Sequence, residues 1–382
     1  MGMTVRAAAL SNFAEVARQL GLNPRRLLRD AGLDWSVLAE PDRRVPVEMI
    51  ATLLESAARE SGCESFGLRM AESRRLSDFG AVSLLIAHQP TLREALDTTV
   101  QYRHLLNEAL SMQFEEVGDL FILREELVLD EALPTRQAYE LAIGAMFRMF
   151  NALLGPRWRP CGVRFTHAAP RELVVHRRVF GCEVEFDSDF NGFVCWRADL
   201  DRANPAADPA LANYARRFVD GLGDGEAASM SLEVRRAAHL LLPVGRASIA
   251  QIARGLGVNV RTLQRRLEAE GAGFSDLLNG VRRELSERYL ANPAFSMTEI
   301  ARLLGYGHLS SFTRWFLSEY GAPPTQWRGR RERAGPSRGD ENVPQHQSLV
   351  QLRSAGDGSG DPGGIAAVRA QAQRLQRAVE GQ

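Results

Sequence analysis

Arg261, Thr262, Gln264 and Arg265 cluster on the side of an apolar repeat that Leu263 and Leu267 leave free. Guanidinium and carboxamide groups at this spacing suit one chemistry above others. Arg pairs bidentately with the edge of guanine and Gln with the edge of adenine, and each good pair contributes roughly 1–3 kcal/mol of discrimination between bases. Further along, His308, Ser310, Thr313 and Arg314 form a second polar face beside Phe312 and Phe316. Hydroxyls suit phosphate oxygens, and Arg serves either a base or a phosphate. The first face is therefore expected to read sequence and the second chiefly to position the protein.

The elements that must hold these faces are written twice. Ser248 stands at an N-cap position, Ile249, Ile252, Ala253 and Leu256 form an inward face, Gly257 permits a tight turn, and Asn259 caps the next helix. Ser296, Ile300-Ala301, Leu303 and Gly305 repeat the frame ahead of the helix that carries Phe312 and Phe316. Two helix-turn-helix motifs are thus predicted, over about 248–269 and 296–319. Phe274, Leu277, Leu278, Val281, Leu285, Tyr289 and Leu290 mark a helix between them. Its 18 residues, Phe274 to Ala291, span about 27 Å at 1.5 Å per residue. Successive major-groove faces lie about 34 Å apart, so a rigid connector of that length offers both reading helices to one face of a duplex, with some bending. One such pattern is an ordinary product of helical bundles. Two matched frames with Arg in each second helix favour double-stranded DNA.

Charge is distributed to match. The 382 residues carry 47 basic and 47 acidic side chains, every basic one an Arg, for a formal net charge of zero. From Arg246 to Ala334 there are 14 Arg against 8 Asp and Glu, a local balance of +6, which suits a module that meets phosphate beside a mildly acidic body. No apolar run reaches membrane-span length and the first residues lack a signal-peptide core, so a cytoplasmic protein is expected. Cys63, Cys161, Cys182 and Cys195 form no Cys-x-x-Cys pair and are expected to be reduced.

Residues 1–202 read as an α+β domain. Helical spacing at Phe13, Val16, Ala17 and Leu20 stops at Gly21, Asn23-Pro24 opens a second helix, and Val47–Arg59 and Thr91–Ala109 are further amphipathic stretches. Leu110–Glu115 and Leu120–Arg124 alternate across Gly118-Asp119 as a hairpin. A helix over Glu140–Leu154 and strands at Cys161–Thr166 and Gly192–Trp196, flanking a helical piece at Leu173–Phe180, complete the order. A linker with one short helix follows at 203–225, an all-α DNA-binding domain at 226–334, and a Gly-, Ser- and Asp-rich tail at 335–382 that is expected to be disordered, with a frayed helix near Ile365–Val379.

Ile300-Ala301, Gly305-Tyr306, Ser310, Phe312, Arg314, Phe316, Gly321, Pro324, Trp327 and Arg328, with Arg261 to Leu267 in the first motif, resemble the signature of the AraC/XylS family of bacterial transcriptional regulators. Leu317 departs from it where a basic residue is common, and Pro323 where Ser or Thr is common. Asn23-Pro24, Leu27-Leu28, Gly32-Leu33, Arg44-Val45-Pro46, Phe66-Gly67-Leu68 and Pro90 to Ala95 resemble the arabinose-binding-type effector domain of one branch of that family. The resemblance implies a DNA-binding regulator, more often an activator that also meets RNA polymerase, whose first domain binds a small-molecule effector or forms a homodimer. It does not make a sugar the ligand. The alternative is an effector-independent repressor or architectural protein whose first domain only oligomerises.

Other classes find less support. No phosphate loop, nucleophile elbow or zinc-protease motif occurs, so no catalysis and no cofactor are expected. Cys161, His167, His176, Cys182 and Cys195 share one stretch, but their spacing fits no short metal motif. His88, His104, Arg103 and Arg124 are candidates to line a ligand pocket, with solvated side chains the plainer reading.

Overall fold

In the computed structural model, which describes residues 2–130, 133–222 and 229–334, the apolar residues gather into separate cores in two units. One unit holds the described residues up to 222 and the other those from 229. The expected tail at 335–382, with its helix near 365–379, lies outside the described residues. Among the described residues no helix is long and apolar enough to cross a membrane.

The first unit runs β1 (Thr4–Arg6), α1 (Phe13–Gln19), α2 (Pro24–Asp30), β2 (Arg44–Pro46), α3 (Val47–Ser61), α4 (Phe66–Glu72), α5 (Val82–Ala87), α6 (Leu92–Gln101), α7 (Arg103–Leu106), β3 (Leu110–Val117), β4 (Leu120–Leu127), α8 (Arg136–Leu154), β5 (Gly162–Arg164), α9 (Val174–Phe180), β6 (Glu183–Glu185), β7 (Asn191–Trp196) and α10 (Pro209–Asp220). It is an α+β domain. Asn23 Oδ1 accepts the main-chain N–H groups of Arg25 and Arg26, so the Asn-Pro pair opens α2 as its chemistry requires. β3 and β4 pair from Leu110↔Leu127 to Val117↔Leu120 across the expected turn. The sheet order is β3-β4-β7-β5-β6, antiparallel except between β5 and β6. β1 and β2 pair separately.

Helix α8 is the backbone of this unit. It is buried along most of its length and packs against α4. A Cβ on Gly144 would lie 2.4 Å from that of Ala71, so only glycine lets the two helices approach this closely. Phe147 and Phe150 pack on Trp158, whose indole N–H donates to Asp199 Oδ2 at 2.9 Å.

Two expectations change. The stretch Thr91–Ala109 is not one helix: α6 ends at Gln101 and a short α7 follows, because the Tyr102 ring turns inward, with its hydroxyl donating to Asp220 Oδ1 at 2.6 Å. The short helix expected in the linker is α10, and it is part of the first unit, where it packs on α5. Ala212, Ala215 and Val219 form its buried face, while Leu211, Tyr214, Phe218 and Leu222 are 49–69% exposed.

The second unit comprises α11 (Met230–Leu241), α12 (Ile249–Gly255), α13 (Val260–Ala269), α14 (Phe274–Ala291), α15 (Met297–Leu303), α16 (Leu309–Tyr320) and α17 (Pro324–Ala334). It is entirely helical among the described residues.

One residue of the sheet breaks the apolar pattern. Glu125 alternates in β4 with Phe121, Leu123 and Leu127, is 1% exposed, and neither carboxylate oxygen has a hydrogen-bond partner in the protein. Burial, with no opposing charge, pushes its carboxyl up from 4.5 to about 8. The folded protein therefore keeps a proton that the unfolded chain releases. That contribution is complete below pH 4.5 and is lost as pH rises through about 8, with a slope of roughly 1 kcal/mol per pH unit between. Glu125→Gln should remove the slope, so denaturation midpoints of variant and wild type should diverge in the variant's favour from pH 5 to 8. Parallel pH profiles would show that Glu125 is not held neutral.

Candidate nucleic-acid interface

The two motifs are built by the same local chemistry. Ser248 Oγ accepts the Gln251 N–H at 3.3 Å while Gln251 Oε1 accepts that of Ser248 at 3.3 Å. Ser296 and Glu299 make the same reciprocal box at 3.2 and 2.8 Å. Each box fixes where the first helix begins. The turn that ends it is also repeated. Gly257 and Gly305 have φ of +68° and +77°, and the next residues, Val258 and Tyr306, donate back to Ala253 and Ala301, both at 2.9 Å. A side chain at either glycine would strain this left-handed turn. Asn259 Oδ1 then accepts the Thr262 N–H at 2.8 Å and starts α13.

Both motifs drain into one core. Val281, Leu285 and Tyr289 of α14 are buried with Ile252, Leu263 and Leu267 of the first motif and with Ile300, Leu303, Phe312 and Phe316 of the second. Arg282 of α14 donates its Nε–H to Leu304 O at 3.2 Å and lies 4.7 Å over the Tyr306 ring, so it closes the end of α15. Glu284 accepts from His239 Nε2 at 2.9 Å and Arg235 Nη2 at 3.2 Å, which fastens α11 to the opposite side of α14. Burial pushes the Glu284 carboxyl up, and these bonds outweigh it, leaving its pKa below the usual value. On α16, Phe316 stacks on Tyr320 at 4.3 Å and meets Trp327 edge-on at 6.0 Å.

What the core excludes forms the candidate interface. Leu263 and Leu267 fix the inward face of α13, so Arg265 lies opposite them at about 100° per residue, with Arg261 beside it. Arg261, Gln264 and Arg265 are exposed, and Thr262 is half-buried. Arg266, which sequence reasoning passed over, is exposed on the flank of the same helix. Its signal lay in the sequence, as a cation next to an apolar position. Arg261, Arg265 and Arg266 make no ion pair among the described residues, whereas Arg235, Arg236 and Arg283 are paired with Glu284, Glu233 and Glu319. The cations of α13 are thus held out with their charge unmatched.

On α16 the outward position opposite Phe312 and Phe316 belongs to Arg314, flanked by Ser310 and by Ser311, which sequence reasoning did not single out. All three are exposed. His308 is exposed at the N-cap and its side chain makes no capping bond. Thr313 is half-buried and its hydroxyl donates to Leu309 O at 3.0 Å, so its proton is engaged within the helix. Leu317 sits 46% exposed on this face, where the departure from the expected basic residue places an apolar group.

Of the other sequence candidates, Arg103 lines an apolar pocket of the first unit, and the following are structural. His176 Nε2 lies 3.1 Å from Glu140 Oε1, and His167 Nε2 lies 3.6 Å from the same oxygen. Burial pulls His167 down to about 4, so it is neutral at pH 7. Burial likewise pushes the Cys161 and Cys182 thiols up to about 12. Arg124 is not solvated: it is buried, 4.1 Å over the Phe190 ring and 3.7 Å from Glu115. His88 Nδ1 lies 3.0 Å from Ala206 O, which helps hold the segment before α10.

Residues 21–204 match the arabinose-binding domain found at the N-terminus of AraC transcription regulators, and residues 252–330 match a helix-turn-helix domain family. The chain is 31% identical to the HTH-type transcriptional regulator VirS of Mycobacterium tuberculosis, over 86% of this chain and 97% of that protein. It is 25% identical to the ornithine utilization regulator of Pseudomonas aeruginosa, over 82% and 93%. Among solved structures, the transcriptional regulator CdpR of Pseudomonas aeruginosa aligns over 80% of this chain and 96% of that one, with 21% identity and a TM-score of 0.39. With both domains matched in order and a relative above 30% identity along nearly its whole length, the chain belongs to the AraC family of helix-turn-helix transcriptional regulators.

Proposed function

We propose that the protein is an activator that reads a specific operator through α13, anchors through α16, and responds to a small molecule bound by its first unit. The observation that carries the reading is the unmatched set of cations on α13, beside Arg residues of the same unit that are paired internally. Arg261, Gln264 and Arg265 take bases, and Thr262 and Arg266 take the flanking backbone. Ser310 and Arg314 hold phosphate in the second half-site, with His308 and Thr313 at its edges. The half-buried Thr313, its hydroxyl proton engaged, contributes least. An activator of this kind acts in the cytoplasm, meets RNA polymerase at the promoter and does no catalysis of its own.

We further infer a homodimer. The exposed Leu211, Tyr214 and Phe218 recur at helical spacing along α10, with Leu222 just past its end, and form an apolar stripe suited to a second copy of itself. Effector binding then shifts an equilibrium between arrangements that already exist. The rival reading, an effector-independent repressor or architectural protein, keeps the dimer and loses the ligand.

Arg265→Ala should weaken operator binding by about 10- to 100-fold, as expected for one bidentate base contact, and should barely change binding to random DNA. Equal losses on both would remove its base-reading role. Arg314→Ala should weaken every sequence alike and flatten the dependence of log affinity on log salt by about 1. An unchanged salt slope would show that Arg314 does not touch phosphate. Phe218→Glu should halve the mass seen in sedimentation, and an unchanged mass would contradict the α10 interface.

A further inference from the structure

The first unit contains a pocket of about 150 Å³, partly open to solvent, that lies against α3, α8 and the β3–β4 hairpin. Its walls are apolar, with Ile50 and Leu54 from α3, Leu141 and Ala145 from α8, and Met112 from β3. A hydrophobic hole of that volume accepts a molecule of benzene size. Glu125 opens into this space from β4. It is the fully buried carboxyl whose two oxygens find no protein partner.

The cations that line the same cavity are committed elsewhere. Arg6 pairs with Asp42 at 2.6 Å and donates to Asp78 O at 2.8 Å. Arg74 donates to the carbonyls of Ala8, at 2.5 Å, and Ala9. Arg103 donates to Val100 O at 3.1 Å. None of these contacts reaches Glu125. Asp42 matches Arg6 and Asp78 lies beside Arg74, so this lining carries no excess of negative charge to draw a cationic ligand.

We propose that this cavity is the effector site and that Glu125 hydrogen-bonds one hydroxyl of a small, uncharged, mostly apolar ring compound. The assignment rests on the reading of the first unit as a ligand sensor. Apolar walls take the ring by burial, and the neutral carboxyl offers both a donor and an acceptor to the hydroxyl. A hydroxyl-free analogue leaves the carboxyl unpaired and forfeits that bond.

Calorimetric titration of the full-length protein, without DNA, tests the site with three probes. p-Cresol carries a ring and a hydroxyl, toluene the same shape without the hydroxyl, and benzylamine a cation. p-Cresol should bind about tenfold more tightly than toluene and more tightly than benzylamine. Glu125→Met should erase the preference over toluene, and Glu125→Gln, which still donates and accepts, should keep most of it. Ala145→Phe fills the cavity from α8 with Glu125 intact and should abolish p-cresol binding, which serves if the Glu125 variants do not fold. Equal affinity for p-cresol and toluene, tightest binding of benzylamine, or p-cresol binding that survives Ala145→Phe would each overturn the proposal. Absence of binding overturns the site alone, whereas binding that leaves operator affinity unchanged overturns the sensor reading and spares the site.

Discussion

Val281, Leu285 and Tyr289 of α14 are buried with Leu263 of the first motif and Ile300 and Phe316 of the second, so neither motif has a core of its own. That shared burial is the constraint on which the DNA-binding unit depends. A side chain in α13 or α16 either joins the core or is expelled from it, and the cations are expelled because burying an unpaired guanidinium costs several kcal/mol. Arg265 and Arg314 therefore point outward as a consequence of where Leu263 and Phe312 point inward. The candidate reading surface is the negative image of the packing.

The first unit solves a different problem with the same physics. Its core admits charge, but only where a partner is at hand: Glu140 lies fully buried beside His176, His167 and Arg136. Glu125 is the departure, since it shares a buried face with aliphatic side chains and stays neutral because nothing nearby balances it. A packed core tolerates few such groups. In this unit the unpaired carboxyl and the apolar cavity coincide.

Much of the second unit was legible in the sequence because its signals are local. Ser248, Gly257 and Asn259 act on residues within four positions of themselves, and apolar periodicity then sets the inward faces. The first unit was legible in its longer elements, such as the β3–β4 hairpin, and not in β1, β2 and β6, whose three residues each are too few to show alternation. The break after Gln101 and the docking of α10 were invisible because both depend on Tyr102 meeting Asp220, 118 residues away. Glu125 lies one residue past the predicted strand Leu120–Arg124, and its burial depends on tertiary packing, which no local pattern carries. Within the candidate interface the outward positions followed from helical phase. The engagement of the Thr313 hydroxyl with Leu309 did not, since a threonine at that phase reads equally as free.

If one core holds α13 and α16 rigidly, a single subunit engages two successive major grooves on one face of the duplex. Inserting base pairs between the two halves of the operator half-site tests this directly. Five added base pairs turn the second groove to the far side, since one helical turn is about 10 base pairs. This insertion should reduce affinity to the level of a site with the second half deleted. Full affinity on the lengthened site would contradict it, because only motifs that move independently could follow the displaced half.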